Sequence, residues 1–485
     1  MRAQLLDKAD TLLGDGVEAA VSFKHRRRLR RLGFKHVFER SEPGVWARGE
    51  PQPRHGCELE VLIDGANALP EIARRLERAK HYVHITGWHL APSFELVRGS
   101  PEKAIGVLLA ELAERIDVRV LVWSGAPLPA FHPTRSEVSR TLENLTRMTR
   151  IQARGDPREH PLHCHHEKTI VIDGELAFVG GIDLTDSAGD RYDTQRHQAR
   201  RRIGWHDVAT RLRGPAVADV GEHFRVRWRE LTGQPLPELT PPPAAGDTTV
   251  QVLRTVQEDM YASIPAGEFR IFESYLRAVR SARELIYIEN QFLWSPELVG
   301  VIADKLRNPP TPAFRVVVLL PAKANNGAED TRGQVRVLLD ADGGRGRVLA
   351  ATTRSLSGSR DRADPLYVHA KVAVIDDRWL IVGSANINAH SFFNDTEMCV
   401  ATDDAALARD TRIRLWAEHL ELEEAVVASM PAAELVDSHW LPIAREQLER
   451  SRAGAAPTHR LLELPGVSRR SSRLLGPLAG LFDDG

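Results

Sequence analysis

HEKTIVID at 166–173 and HAKVAVID at 369–376 decide how this chain is read. Each places a histidine, a lysine two residues on and an aspartate five residues after that: His166, Lys168 and Asp173, then His369, Lys371 and Asp376. The two histidines stand 203 residues apart. The following text repeats as well, GELAFVGGID after the first motif and DRWLIVGSAN after the second. Upstream, Tyr82 matches Leu285, Ile85 matches Ile288 and Trp88 matches Gln291 at the same offset of 203. A fixed offset carried through several segments marks an internal repeat of one supersecondary unit.

Working outward, His and Lys at i and i+2 project from one side of a strand. Ile170, Ile172, Val372 and Val374 can then fill a core, and DGEL (173–176) and DDRW (376–379) turn the chain back into a hairpin. The returning strands end at Gly180, Gly181 and Asp183, and at Gly383, Ser384 and Asn386. Backbone amides and short polar side chains in such turns can hold phosphate oxygens. LPEIARRLERAKHYVHITGWHL (69–90) and IFESYLRAVRSARELIYIENQFL (271–293) each run a helical period into a strand. This is the alternation of α/β layers. VRVLVW (118–123) and FRVVVLLP (314–321) are apolar enough for burial on both faces.

Five segments are expected: a helical basic lead-in at 1–56, a first half at 57–231, a Pro/Gly/Thr-rich linker at 232–250, a second half at 251–430, and a helix with a loose tail at 431–485. KHRRRLRRL (24–32) reads either as a solvated helix face or as a foothold on anionic lipid, with Phe23, Leu29, Leu32 and Phe34 as its apolar contact. SRRSSRLLGPLAGLF (468–482) is a second candidate lipid contact.

Composition narrows the function. The 65 basic and 66 acidic residues leave a net charge of -1, so no basic excess favours nucleic acid as a partner. Cys57, Cys164 and Cys399 make no disulfide framework and fit a reducing compartment. The N-terminal stretch lacks the apolar core of a signal peptide, and no apolar run approaches the roughly 18 residues of a membrane span. A cytoplasmic protein that can rest peripherally on the inner face of the membrane is expected. HCHH (163–166) invites a metal reading, but its residues are contiguous, alternate in direction and lack a separated second group of ligands, so no metal is expected.

Both motifs follow HxKxxxxD, and on them the chain resembles the phospholipase D superfamily. The likeness runs from about 57 to 430 through YVHITGWHL (82–90), GGIDLTDSAGDRYDTQRH (180–197), WHDVATRLRGPAVADVGEHFRVRW (205–228), YIENQF (287–292), GSANINAHSFFNDTEM (383–398) and IRLWAEHLEL (413–422). The RYDT and IENQ stretches favour the phosphatidyl-transferring branch over nucleases. The chain departs from the family in lacking the long N-terminal lipid-binding modules of plant and animal members. It also carries NDTE (394–397) for the usual RDSE, and GGID for GSxN after the first motif.

The resemblance implies an α/β fold of two similar α/β/α sandwich halves packed as a pseudo-dimer, with the active site at their shared interface. It implies a phospholipase D that hydrolyses glycerophospholipids to phosphatidic acid and a free head group, and transfers the phosphatidyl group to alcohols, through a phosphohistidine. The partners would be a glycerophospholipid at a membrane surface and a water or alcohol acceptor, with no cofactor, no nucleic acid and no obligate protein partner. Sequence symmetry leaves the two histidines equivalent; the resemblance makes His166 the nucleophile and His369 the acid and base. Lys168, Lys371, Asn386 and the Gly181 region would hold phosphate oxygens. Asp193 in RYDT and Glu397 in NDTE would orient the histidines.

Asp173 and Asp376 would brace the site or the turn, and Asp207 could be an anchor behind it. Trp88, Trp123, Trp205 and Phe292 would either face lipid at the mouth or pack in the core. A cardiolipin synthase-type phosphatidyltransferase, a nuclease or other phosphodiesterase, and a non-catalytic lipid-binding scaffold are the competing readings.

Overall fold

The apolar runs that flank the two histidine motifs become neighbouring strands of one sheet, which fixes where the motifs lie. A computed structural model describes residues 16, 19–39, 44–127, 132–158, 163–187, 189–322 and 330–465. After a helix α1 at residues 19–31, the first repeat runs β1 (Arg54–Ile63), α2 (Gly65–Glu77), β2 (Tyr82–Gly87), α3 (Ile105–Ala113), β3 (Asp117–Trp123), α4 (Arg135–Thr146) and β4 (Gln152–Asp156). The hairpin β5 (Thr169–Ile172) and β6 (Leu176–Gly180) follows, then β7 (Gly204–His206), β8 (Val208–Arg213) and α5 (Val217–Thr232). Residues 233–247 hold neither helix nor strand.

The second repeat runs β9 (Thr248–Val256), β10 (Glu268–Phe269), α6 (Arg270–Ser281), β11 (Leu285–Glu289), β12 (Leu293–Trp294), α7 (Pro296–Arg307), β13 (Arg315–Leu319), α8 (Asp330–Asp342), β14 (Val348–Thr352), β15 (Arg354–Leu356) and β16 (Ala363–Val368). Its hairpin is β17 (Val372–Ile375) and β18 (Trp379–Gly383), followed by β19 (Ile387–Asn388), α9 (Ala389–Phe393), β20 (Glu397–Thr402) and α10 (Ala405–Leu420). The chain continues through α11 (Glu424–Ser429), α12 (Ala432–Leu435), α13 (Leu441–Arg452) and β21 (Leu462–Glu463).

The long sheet has the order β21-β14-β13-β11-β17-β18-β20-β9-β1-β8-β6-β5-β2-β3-β4. Read outward from the central antiparallel pair β9–β1, the two sides mirror each other. β2 pairs parallel with β3 and antiparallel with β5, as β11 does with β13 and β17. The result is a mixed α/β architecture with a duplicated core.

Alternation along buried strands sends side chains to both faces. Ile286, Ile288, Val316 and Val318 pack on residues of α6 and α7 such as Phe272, Leu276 and Ile302, while Tyr287, Val317 and Leu319 meet Leu415 and Trp416 of α10 and Trp440. In the first repeat Val83, Ile85, Val118 and Val120 pack on Ile72, Leu76 and Leu109, and Val171 and Val179 meet Val217 and Val220 of α5. Burying each large apolar side chain contributes about 1.5–3 kcal/mol.

The hairpin turns follow from their residues. Asp173 and Gly174 have φ of 55° and 69°, and Asp376 and Asp377 have φ of 54° and 52°. Positive φ at both central positions matches the right-handed twist of the flanking strands. The Asp173 carboxylate accepts N–H groups of Lys80, His81 and Tyr82 at 2.9, 2.7 and 3.0 Å. Asp376 does the same for Arg283, Glu284 and Leu285 at 2.7, 2.8 and 2.8 Å. Each motif aspartate thus ties its hairpin to the start of the neighbouring strand.

The lead-in helix corrects one expectation. Leu29 is fully buried in the second-repeat core, and Leu32 and Phe34, half-buried, pack against it, so this apolar edge faces the core rather than lipid. His25 Nδ1 lies 2.8 Å from Glu297 Oε1, and Arg28 Nε donates to Glu258 at 2.9 Å. Phe23 stays exposed, beside the exposed Lys24, Arg26, Arg27, Arg30 and Arg31. The 468–482 segment lies outside the described residues. Among the described residues no helix is long and apolar enough to cross a membrane.

Candidate active site

Each motif histidine is delivered by one repeat and held by the other. The His166 and Glu167 N–H groups both donate to Thr396 O, at 2.9 and 3.0 Å. The His369 and Ala370 N–H groups both donate to His206 O, at 2.8 and 3.0 Å. The residue after each of these carbonyls carries the carboxylate that meets the ring. His166 Nδ1 lies 3.0 Å from Glu397 Oε1, and His369 Nδ1 lies 2.6 Å from Asp207 Oδ2. A carboxylate on Nδ1 holds the proton there and leaves Nε2 free to work.

Glu397 is itself braced. The Ser384 hydroxyl donates to its Oε2, and the Ser391 hydroxyl to its Oε1 at 2.5 Å. Asp207 Oδ1 accepts the Val208 N–H at 2.8 Å, and the Asp207 N–H donates to Asp64 at 3.2 Å. Gly181 corresponds to Ser384, 203 residues on. A Cβ at Gly181 would fall 2.2 Å from Asp207 Oδ1. The second glycine of GGID therefore makes room for Asp207, whereas the matching serine of GSAN feeds Glu397.

Two expectations are corrected by this geometry. The Gly181 N–H donates to Val208 O at 3.0 Å, so that amide is already committed within the sheet edge and does not present itself to a phosphate. Asp193 meets neither motif histidine; its carboxylate lies 3.0 Å from His197 Nδ1 and accepts from Arg200 at 2.5 Å. The cause is loop length. From Gly180 to β8 the first repeat makes a longer excursion than the second makes from Gly383 to β20, so Asp207 and Glu397 stand only 190 residues apart. Both directly precede or open the strand that leads into α5 or α10, and that position was the sequence signal for Asp207.

The lysines occupy matching places. Lys168 Nζ donates to His166 O at 2.8 Å and lies 3.4 Å from Asp183 Oδ1. Lys371 Nζ donates to His369 O at 2.6 Å and to Gln291 Oε1 at 3.2 Å. Burial pulls Lys371 down to about 7. Asn386 is fully buried just after Ser384, and its N–H donates to Ser391 Oγ at 2.9 Å.

His166 and His369 open onto one cavity of about 700 Å³, lined also by Trp88, Asp183, Arg191 and Trp205. Sequence reading passed over Arg191. Its guanidinium lies against the Trp205 ring, its Nε and Nη1 have no hydrogen-bond partner among the described residues, and burial pulls it down to about 10. Trp205 in turn packs 4.5 Å from the His369 ring. Of the other aromatic candidates, Trp123 stacks on Trp88 at 6.2 Å, and Phe292 is buried away from the cavity lining.

Electrostatics distinguish the second histidine. Burial pushes Asp207 up to about 7, against the pull of Lys371. Burial also pushes His369 well below its usual value, aided by the positive charges of Lys371, Arg191 and Lys168. Across 2.6 Å the two groups titrate as one unit.

Behind His369 lies a fully buried polar layer. His206 Nδ1 meets Asp64 at 2.9 Å and its Nε2 meets Glu289 at 2.8 Å. Burial opposes charge on His206, but Asp64, Glu289 and Glu418 outweigh it and hold His206 well above its usual value. His419 Nε2 meets Glu289 at 2.9 Å, and His197 Nε2 meets Glu418 at 2.9 Å. The IENQ stretch thus supplies Glu289 to His206 and Gln291 to Lys371. Three sets of residues converge closely enough to share a cation: Asp64, His197, His206 and Glu418; His206, Glu289 and His419; and His163, His390 and Asp395. In the first two, each histidine already faces a carboxylate at hydrogen-bond distance.

Comparison with known proteins matches each repeat to a family model. A model described as Phospholipase D matches residues 75–203, and one described as Cardiolipin synthase, PLD-like domain, matches residues 275–416. The chain is 26% identical over 494 residues to phospholipase D alpha 4 of Arabidopsis thaliana, covering 74% of this chain and 64% of the relative. It is 25% identical over 465 residues to phospholipase D A of Dictyostelium discoideum, covering 77% of this chain and 36% of the relative. The chain therefore spans less than two thirds of the length of either. In fold it is similar to the crystal structure of phosphatidylserine synthase from Haemophilus influenzae Rd KW20, with a TM-score of 0.51 at 14% identity over 82% of this chain and 93% of that one.

Proposed function

Because the chain belongs to the phospholipase D superfamily, we propose that it is a phosphodiesterase that hydrolyses glycerophospholipids to phosphatidic acid and transfers the phosphatidyl group to alcohols. The observation that carries this reading is the reciprocal pairing of His166 with Glu397 and His369 with Asp207 on one cavity. Two imidazoles, each with Nδ1 held and Nε2 free, are what a two-step phosphoryl transfer requires.

In the first step Nε2 of His166 attacks phosphorus, the N–P bond forms and the P–O bond to the head group breaks. His369 gives its Nε2 proton to the departing oxygen. In the second step His369 takes a proton from water or an alcohol, whose oxygen attacks phosphorus. The P–N bond then breaks and His166 is restored. Lys168, Lys371 and Arg191 place positive charge on the non-bridging oxygens, with Asn386 as a further donor. The aromatic walls Trp88 and Trp205 limit water around the intermediate, which lets an alcohol compete.

The two halves at 57–231 and 251–430 would each give one histidine to this shared site. The exposed basic face of α1, with Phe23 beside it, suits a peripheral contact with an anionic membrane surface in the cytoplasm. A cardiolipin synthase-type transfer is the second reading, favoured by the family model matched over 275–416.

The test is to incubate the protein with mixed liposomes of phosphatidylcholine, phosphatidylethanolamine and phosphatidylglycerol plus dilute butanol, beside an H166A control. Phosphatidic acid with phosphatidylbutanol, absent in the control, is expected. Cardiolipin as the main product would move the assignment to the second reading. Unchanged lipids would set aside both.

A further inference from the structure

The imidazoles of His163 and His390 face each other at Nδ1, 3.2 Å apart. Two ring nitrogens cannot present lone pairs to each other at that distance; a positive particle must lie between them, either a proton on one ring or a metal ion shared by both. The Asp395 carboxylate converges on the same point, with Oδ1 3.7 Å from His163 Nδ1 and Oδ2 3.8 Å from His390 Nδ1. Those separations are too long for hydrogen bonds to the rings. One donor atom from each of the three residues lies within 4.8 Å of the others, so a small inward shift brings them to the spacing of about 3.3–3.4 Å that bonds of about 2.0–2.1 Å in tetrahedral geometry set. We propose that His163, His390 and Asp395 form a binding site for a zinc-class divalent ion that joins the two repeats beside the cavity.

The donor set is two imidazoles and one carboxylate, which suits a borderline ion of the Zn²⁺ or Co²⁺ type rather than Ca²⁺ or Mg²⁺. Two ligands come from the second repeat, His390 in α9 and Asp395 just beyond it, and one from the first. HCHH lacks a separated second ligand group within its own sequence, and the fold brings that group from the other repeat. His163 is 14% exposed at its side chain, which gives an ion a way in, whereas His390 and Asp395 are buried.

Position gives the site a purpose. Asp395 Oδ1 accepts the Cys164 N–H at 2.9 Å, the Thr396 N–H donates to Cys164 O at 3.1 Å, and His165 Nδ1 meets Thr396 Oγ1 at 2.9 Å. This short parallel pairing of 164–166 with 395–397 ends at the His166–Glu397 contact. An ion at its other end closes the pairing and fixes the two repeats against each other. This inference does not depend on the substrate.

The test uses the full chain, stripped with a chelator and dialysed. Zn²⁺ is titrated by calorimetry and Co²⁺ by visible absorption, and melting is followed at rising ion concentration. One ion per chain, tetrahedral-type Co²⁺ bands and a melting midpoint that climbs with ion concentration are expected. H163A and D395N should each weaken binding at least about tenfold, since a ligand lost matters no less than the outer partners of a metal site. D395N keeps an oxygen for the Cys164 N–H, and H163A trims a half-buried side chain, so each is checked for native melting without the ion. H166A should bind as the unaltered protein does. No binding, or binding unchanged in H163A and D395N, would overturn the proposal; the latter would move the ion to the buried Asp64, His197, His206 and Glu418 cluster.

Discussion

Glu397 Oε1 lies 3.0 Å from His166 Nδ1, although the two residues belong to different repeats of the chain. Asp207 and His369 complete the exchange in the other direction at 2.6 Å. Neither repeat holds its own histidine. Duplication within one chain therefore does more than supply a second motif, because each half carries the orienting carboxylate of the other.

Removing those carboxylate charges should disable the chemistry without unfolding the protein. E397Q and D207N each place an amide where a carboxylate fixed the Nδ1 proton. We expect kcat to fall at least about a hundredfold in each, with KM little changed. A variant with near-normal kcat would show that its histidine is oriented by something else.

Gly181 offers a sharper test of the same arrangement. G181A puts a Cβ 2.2 Å from Asp207 Oδ1. The carboxylate must shift, so G181A should approach the turnover of D207N, with a stability loss of about 1–3 kcal/mol from overpacking. S384G, which removes a hydroxyl that donates to Glu397 and accepts the Met398 N–H at 3.1 Å, leaves the carboxylate in place and should be milder. Equal, normal turnover in G181A would contradict the packing argument.

The Asp207–His369 pair sets a pH dependence. Burial pushes Asp207 up to about 7 and His369 well below its usual value, so above about 7 the pair is a carboxylate with a neutral imidazole. That form is a base. Below about 7 the pair takes up a proton and becomes the acid that the leaving group needs. Head-group release in a single turnover should therefore slow by about tenfold per pH unit above the pair's titration. D207N, which cannot carry the carboxylate charge, should lose that limb; an unchanged profile would place the titration on another group.

The motif aspartates should behave differently from the histidines. Asp173 and Asp376 each accept three backbone N–H groups. D173N and D376N should lower stability by about 1.5–3 kcal/mol each, the scale of a charge-assisted hydrogen bond, while the folded fraction keeps its turnover. Thermally normal but inactive proteins would sink this assignment.

Arg191 should act on the phosphate. R191A is expected to lower kcat/KM at least about tenfold, and R191K to recover part of it through charge alone. No change in R191A would remove Arg191 from the site.

Much of this was legible in the sequence, because local pattern and local structure agree there. The 203-residue offset placed the hairpins, and DGEL and DDRW became turns with two positive-φ residues. The aspartate braces were expected in kind, though not their three amides. What failed to show was set by tertiary contact. Asp193 sits in a loop with no length-matched partner in the second repeat, so matching the orienting carboxylate to RYDT by resemblance picked the wrong residue. The amide of Gly181 was committed to Val208, which only the sheet reveals. Leu29, Leu32 and Phe34 looked like a lipid-facing edge until the second-repeat core covered them. Arg191 opens the RYDT stretch, where only its aspartate was given a role, and the fold was needed to place it as a buried cation on the cavity that both histidines line.

The most direct test of the account is to trap the covalent intermediate. H369A protein would be mixed with a phosphatidyl ester of a good leaving group, quenched at alkaline pH and mapped by peptide mass spectrometry. The account predicts a phosphatidyl adduct on His166 that forms and then stalls, because the base for the second step is gone. An adduct on His369 of the unaltered protein, or release of product by H166A, would contradict it.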